Sequence, residues 1–150
     1  MYRPCSGRFL AEAHFIYFKV TTFMKRLGID FGTKKIGLAL TDDGGQMAFP
    51  HEVIPNDALH TKYIEALVAD KQVEEIVVGY SLNNQGEPNK VHAAVEELVA
   101  DLTLLTGLPI HLEPEQYSTK EASHIQGKNK LTDAAAAAII LNSYLTKQKN

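Results

Sequence analysis

Three extended segments follow one another between Arg26 and Ile54, and the connections between them hold only a few residues each. Arg26 to Phe31 alternates, with Leu27, Ile29 and Phe31 on one face and Gly28 and Asp30 on the other. Gly32-Thr33 starts a tight connection into Ile36–Thr41, and Asp42-Asp43-Gly44-Gly45 turns the chain into Met47–Ile54. A parallel pairing needs a crossover of about a dozen residues or more, so these strands must form an antiparallel meander.

Beyond Ile54 the period changes. Ala58 to Asp70 reads as a helix with Leu59, Tyr63, Ala66 and Leu67 on one face, and Glu75 to Gly79 as a short buried strand. Asn83 to Asn89 is a polar loop containing Gly86 and Pro88. A second helix carries Val91, Ala94, Val95, Leu98, Val99 and Leu102 and ends at Gly107-Leu-Pro109. Ile110 to Glu113 is a strand, Ser118 to His124 a short helix, Gly127 to Lys130 a basic loop and Leu131 to Lys147 a final helix. The order β-β-β-α-β-α-β-α-α predicts an α/β fold, a mixed sheet of a three-stranded meander plus parallel strands, with helices on both faces. At 150 residues the chain makes one domain, or one domain spanning residues 24–150 with residues 1–23 as a tail, without internal repeats.

Charge is unevenly divided. Residues 24–150 hold 12 basic and 17 acidic side chains, a net of −5, whereas residues 1–23 are net +2. Such an acidic body excludes binding to nucleic acid by bulk charge; any such partner needs a local basic patch. The single cysteine, Cys5, excludes an internal disulfide and fits a cytoplasmic protein. The longest apolar run, Ala134 to Leu141, falls well short of the ~20 residues of a membrane span.

Residues 1–23 read differently from the rest. They are rich in aromatics, but Glu12, His14 and Lys19 interrupt the apolar stretch and no small-residue cleavage site follows, unlike a signal peptide. Met24, directly before Lys-Arg and the first strand, offers a second start, which would make the prefix an upstream-start artefact. The alternatives are an added element packed on the domain and a targeting segment.

Three carboxylates stand at the ends of elements. Asp30 lies within an otherwise apolar strand, where burial is costly unless the charge is paired or metal-bound. A turn aspartate stabilising the Gly32 bend is the plain alternative. Glu115 follows the fifth strand, and alternation puts His111, Glu113 and Glu115 on one face, so either glutamate can serve a site at the sheet's end. Asp133 opens the alanine-rich helix, where an acid also suits the macrodipole. Oxygen ligands converging from separate elements are what Mg²⁺ requires. Lys34, Lys35, Lys128 and Lys130 form the candidate basic patch. Of the histidines, none shows zinc spacing, and His111 shares Glu115's face.

The motifs are specific when taken together. Leu27-Gly-Ile-Asp30-Phe-Gly32-Thr-Lys34-Lys-Ile36-Gly37-Leu-Ala39 resembles the opening signature of the YqgF/RuvX family. Val77-Val-Gly79-Tyr-Ser-Leu82-Asn83, Glu115-Gln-Tyr-Ser118-Thr119 and Leu131-Thr-Asp133 through Leu145 resemble its three later motifs, in order, from Met24 to about Leu145. The resemblance implies an RNase H-like fold and a metal-dependent nuclease using Mg²⁺ or Mn²⁺. Its acidic triad falls on Asp30, Glu115 and Asp133. The substrate implied is structured RNA, namely pre-16S rRNA trimmed at its 5′ end, or a branched DNA junction. Gly32, Thr33, Lys34 and Lys35 would meet a phosphate beside Asp30, with Asn83, Lys128 and Lys130 as further nucleic-acid contacts.

Two positions depart from the family pattern. Gln116 replaces the usual arginine, a natural phosphate clamp, and Ser81 replaces a proline; the stretch from Glu115 to Asp133 is also short. These departures favour a binding module without catalysis as a rival. The Asp-x-Gly-Thr turn also occurs in sugar kinases and heat-shock ATPases, but those need two large lobes.

Overall fold

The computed structural model describes residues 24–80, 92–114 and 132–149. Its elements are β1 (Arg26–Phe31), β2 (Lys35–Thr41), β3 (Ala48–Pro55), α1 (His60–Lys71), β4 (Glu75–Tyr80), α2 (His92–Thr106), β5 (Ile110–Pro114) and α3 (Thr132–Lys149). The short helix expected over Ser118–His124 and the loops Asn83–Asn89 and Gly127–Lys130 lie outside the described residues, as does the N-terminal stretch.

The meander is present and heads a five-stranded mixed sheet ordered β3-β2-β1-β4-β5. β1 pairs antiparallel with β2, and β2 with β3, whereas β4 runs parallel to β1 and β5 parallel to β4. β3 runs one residue later than its sequence pattern suggests. The Met47 carbonyl accepts the Asp42 amide to close the turn, and Asn142 of α3 bonds both backbone groups of Ala48.

Alternation sorts the sheet's two faces as expected. Leu27, Ile29 and Phe31 join Ile36, Leu38, Ile76 and Val78 against α1 and α2. α2 contributes Val95, Leu98 and Leu102, as its periodicity predicts. α1 departs from expectation. Leu59 is 65% exposed and Tyr63 40%, and the buried stripe is Ile64, Leu67 and Val68. The reason is a later helix start: Asp57 accepts the Leu59 amide at 2.9 Å, leaving Leu59 ahead of the first turn, and Tyr63 reaches instead to Glu52. Each fully buried branched side chain stabilises the fold by roughly 1.5–3 kcal/mol.

The second face belongs to α3, and small residues let it in. Gly28, Gly37 and Ala39 meet the alanine run Ala134–Ala138. A Cβ on Gly37 would lie 2.0 Å from the Asp133 carbonyl oxygen, and one on Gly28 2.9 Å from Leu141 Cβ. α3 therefore sits on bare strand backbone, closer than any side chain permits. Its C-terminal half is held by polar contacts. Arg26 bonds Glu75 through Nε, and His111 Nε2 lies 3.1 Å from the other Glu75 oxygen. Tyr144 stacks on His111 with centroids 5.2 Å apart. Glu113, 3% exposed, accepts from Ser143 at 2.8 Å and pairs with Lys147 at 2.7 Å.

Gly37→Ala should cost about 1–3 kcal/mol by forcing α3 off the sheet. Gly44→Ala, whose added carbon meets nothing nearer than 3.7 Å, should stay within about 0.5 kcal/mol. Urea titration of both variants checks this, and equal midpoints would refute the close-packing account. Tyr144 gives a second prediction. Burial, then the Glu75 carboxylate, push its phenol above the usual 10.0, with Arg26 opposing. A folded-state pKa raised in this way contributes stability that is lost as pH rises past the unfolded value. The melting temperature should thus fall above about pH 10, and less steeply in Tyr144→Phe. Identical slopes would show that the Tyr144 hydroxyl contributes nothing to the alkaline loss.

Candidate active site

β1, β4 and β5 are parallel, so their carboxyl ends share one edge, the usual place for a site in a sheet of this kind. Asp30, Gly79 and Glu113 stand level across that edge. Asp30 is partly buried, on the face that α3 covers.

The approach of α3 brings the two described carboxylate residues together. Asp30 is the register partner of Gly37, and Gly37 is pressed against the backbone of Asp133. One missing side chain thus connects the middle of the sheet with the first turn of the helix. Asp133 is partly buried and sits where the positive helix end also favours an acid. The macrodipole therefore suffices to explain an acid here, and a role at the sheet's end would use the same placement.

Beside this pair runs the connection from β1 to β2. The Gly32 amide donates to the Lys35 carbonyl at 2.9 Å, and a Cβ on Gly32 would come within 2.6 Å of that oxygen. Thr33, Lys34 and Lys35 are exposed. Asn56, just after β3, clamps the turn. Its side-chain amide donates to the Gly32 carbonyl at 2.8 Å, and its backbone amide donates to the Lys34 carbonyl at 3.0 Å.

Of the carboxylates singled out from the sequence, Asp30 and Asp133 are brought to one edge, while Glu115 lies outside the described residues. So do Asn83, Lys128, Lys130, Ser81 and Gln116. Glu113 and His111 do face α3, as alternation requires, but both are committed there. Glu113 is buried and bound by Ser143 and Lys147, while the half-exposed His111 is held by Glu75 through Nε2 and stacks on Tyr144. Among the described residues no three His, Cys, Asp or Glu side chains gather closely enough to hold a metal ion. The donor set at the edge fits a hard divalent cation all the same: carboxylate oxygens on separate rigid elements, next to exposed lysines.

Two contributors escaped the sequence reading. A glycine inside a strand, as Gly37 is, is itself a signal of close backbone approach. The bonds of Asn56 to a turn more than 20 positions earlier leave no local trace in the sequence.

A family model for RuvX, described as a Holliday junction resolvase, matches residues 24–147. A protein of Lachnospira eligens named "Putative pre-16S rRNA nuclease" is 36% identical over 140 residues, covering 84% of this chain and 100% of its own. One of the same name from Maridesulfovibrio salexigens is 36% identical over 135 residues, covering 83% and 99%. Among solved structures, Thermus thermophilus RuvC in complex with a Holliday junction superposes with a TM-score of 0.57 at 18% identity, covering 85% of this chain and 97% of that one. The Fowlpox virus resolvase with junction DNA gives 0.54 at 11% identity, covering 85% and 100%. These neighbours share the RNase H-like fold, and with the family match spanning nearly all of residues 24–149 the chain belongs to the RuvX family.

Proposed function

We propose that this protein is a divalent-metal-dependent endonuclease that hydrolyses a phosphodiester of structured RNA in the cytoplasm, maturing the 5′ end of pre-16S rRNA. The observation that carries this reading is the Asp30–Gly37–Asp133 juxtaposition at the carboxyl edge, next to an exposed lysine turn. Asp30 and Asp133, with Glu115, would hold Mg²⁺ or Mn²⁺. When bound, the ion supplies Lewis-acid stabilisation of charge developing on the phosphate oxygens.

The chain's own groups do the rest. A phosphate would approach the Gly32–Thr33 backbone beside Asp30, and Lys34 and Lys35 would neutralise neighbouring phosphates. Asn56 fixes the turn, so the two lysines are presented at a constant distance from Asp30. Seating α3 on Gly37 keeps Asp133 from drifting, and positional error of about 1 Å costs on the order of 100-fold in rate. Asn83, Lys128 and Lys130 would add further contacts.

The description of the family model favours a second reading, cleavage of a four-way DNA junction. One assay addresses both: a precursor 16S rRNA fragment and a junction DNA, each with and without Mg²⁺. RNA cleavage should exceed junction cleavage, stop with chelator and return with Mg²⁺. Preferential junction cleavage would select the second reading. In the same assay Asp30→Asn should cut the rate by about 1,000-fold or more while leaving the melting temperature nearly unchanged. Undiminished cleavage would remove Asp30 from the site, and binding without turnover by the wild type would leave a binding module.

A further inference from the structure

A cleft of about 520 Å³ opens beside this edge, lined by Lys34, Lys35, His51, Val53 and Pro55 among others. That size lies within the ~300–1,000 Å³ range of small-molecule sites. Strand register relates it to the carboxylates. Lys35 pairs with Pro55 and Gly37 with Val53, so Val53 flanks the glycine that touches Asp133.

Three features fix the occupant. First, the wall is apolar and the mouth cationic in a protein whose body is net −5. Glu52, the one acid on the rim among the described residues, has its carboxylate engaged by the Tyr63 hydroxyl of α1 at 2.7 Å. Second, His51 is the extra residue of a bulge, where the register steps from Leu38↔Glu52 to Ala39↔Pro50. Bulges re-aim side chains and are common next to active sites. Third, β3 is an edge strand carrying Pro50 and Pro55 and broken by this bulge, which disfavours pairing with a strand of another chain.

We infer that the cleft takes one unpaired nucleotide of the strand being cut, next to the scissile phosphate. Its base lies against Val53 and Pro55 with the His51 ring beside it, and its phosphate meets Lys34 and Lys35. An unstacked base offers a flat apolar face and a hydrogen-bonding edge, the two properties this lining matches. A base-paired nucleotide has both already occupied. The inference rests on the nuclease reading for the identity of the strand.

The test uses the full chain carrying Asp30→Asn, so that the strand stays intact, and follows the His51 ring by NMR. A single-stranded RNA pentamer should shift the His51 signals, whereas a fully paired duplex or inorganic phosphate alone should not. His51→Ala should weaken pentamer binding roughly five- to tenfold, the loss of one stacking or hydrogen-bonding contact, with the melting temperature held because the residue is exposed. His51 signals that ignore the pentamer, or answer equally to the duplex or to phosphate, would overturn the inference, as would unchanged affinity in His51→Ala. The two readings fail separately. A wild type that cuts nothing while the pentamer still moves His51 sinks the nuclease and keeps the cleft; Asp30-dependent cutting with His51 silent does the reverse.

Discussion

The contact between α3 and the bare backbone of β1 and β2 is what the rest of the structure depends on. A helix normally rests on side chains that hold its axis about 10 Å from a sheet. Here Gly28 and Gly37 present no side chain, and a Cβ at either would collide with α3. The alanine run makes the same concession from the helix side. The result is a seam with almost no play, and the site's geometry follows from it: Asp133 lies over the register partner of Asp30 because nothing stands between them.

The opposite end of the helix is secured by different means. Tyr144, Ser143 and Lys147 engage His111 and Glu113, and Arg26 ties β1 to β4 through Glu75. Buried ionic groups of this kind contribute less to net stability than to fixing one arrangement, since each is costly to leave unpaired. They set the register of α3 along the strands. Glu113 illustrates how position decides role. It stands level with Asp30 across the sheet, yet its carboxylate is buried and spoken for, so it belongs to the scaffold.

Much of this was legible in the residues. The meander, the crossovers and the assignment of Leu27, Ile29 and Phe31 to one face follow from period and connection length alone. Asp30 and Asp133 stood out because a carboxylate in an apolar strand and one heading a buried helix both need reasons. What escaped notice was relational. That Leu59 would be exposed depends on Asp57 delaying the helix, and that Glu113 would be consumed depends on a serine 30 positions away. Asn56 and His51 matter only through a register that no local pattern encodes. Four motifs resembling one family supplied what single residues could not, namely the expectation that Asp30, Glu115 and Asp133 act together.

The acidity of the body, which seemed to argue against a nucleic-acid partner, loses that force once charges are placed on the sheet. β2 begins at Lys35 and ends at Thr41, next to Asp42 and Asp43. Glu74 and Glu75 stand at the start of β4, at that same far end, and Lys25 already pairs with Asp43 there. Asp57, an acid near the lysine turn, has its carboxylate turned to the start of α1. Asp42, Asp43, Glu74 and Glu75 therefore lie at the end of the sheet away from Lys34, Lys35, Asp30 and Asp133, while Glu113 at the near end is paired with Lys147. At an ionic strength of about 0.15 M exposed charges more than ~8 Å apart are largely screened from one another. A phosphate brought to the carboxyl edge, as the proposed function requires, would respond to the local lysines far more than to the sum of charges over the whole chain.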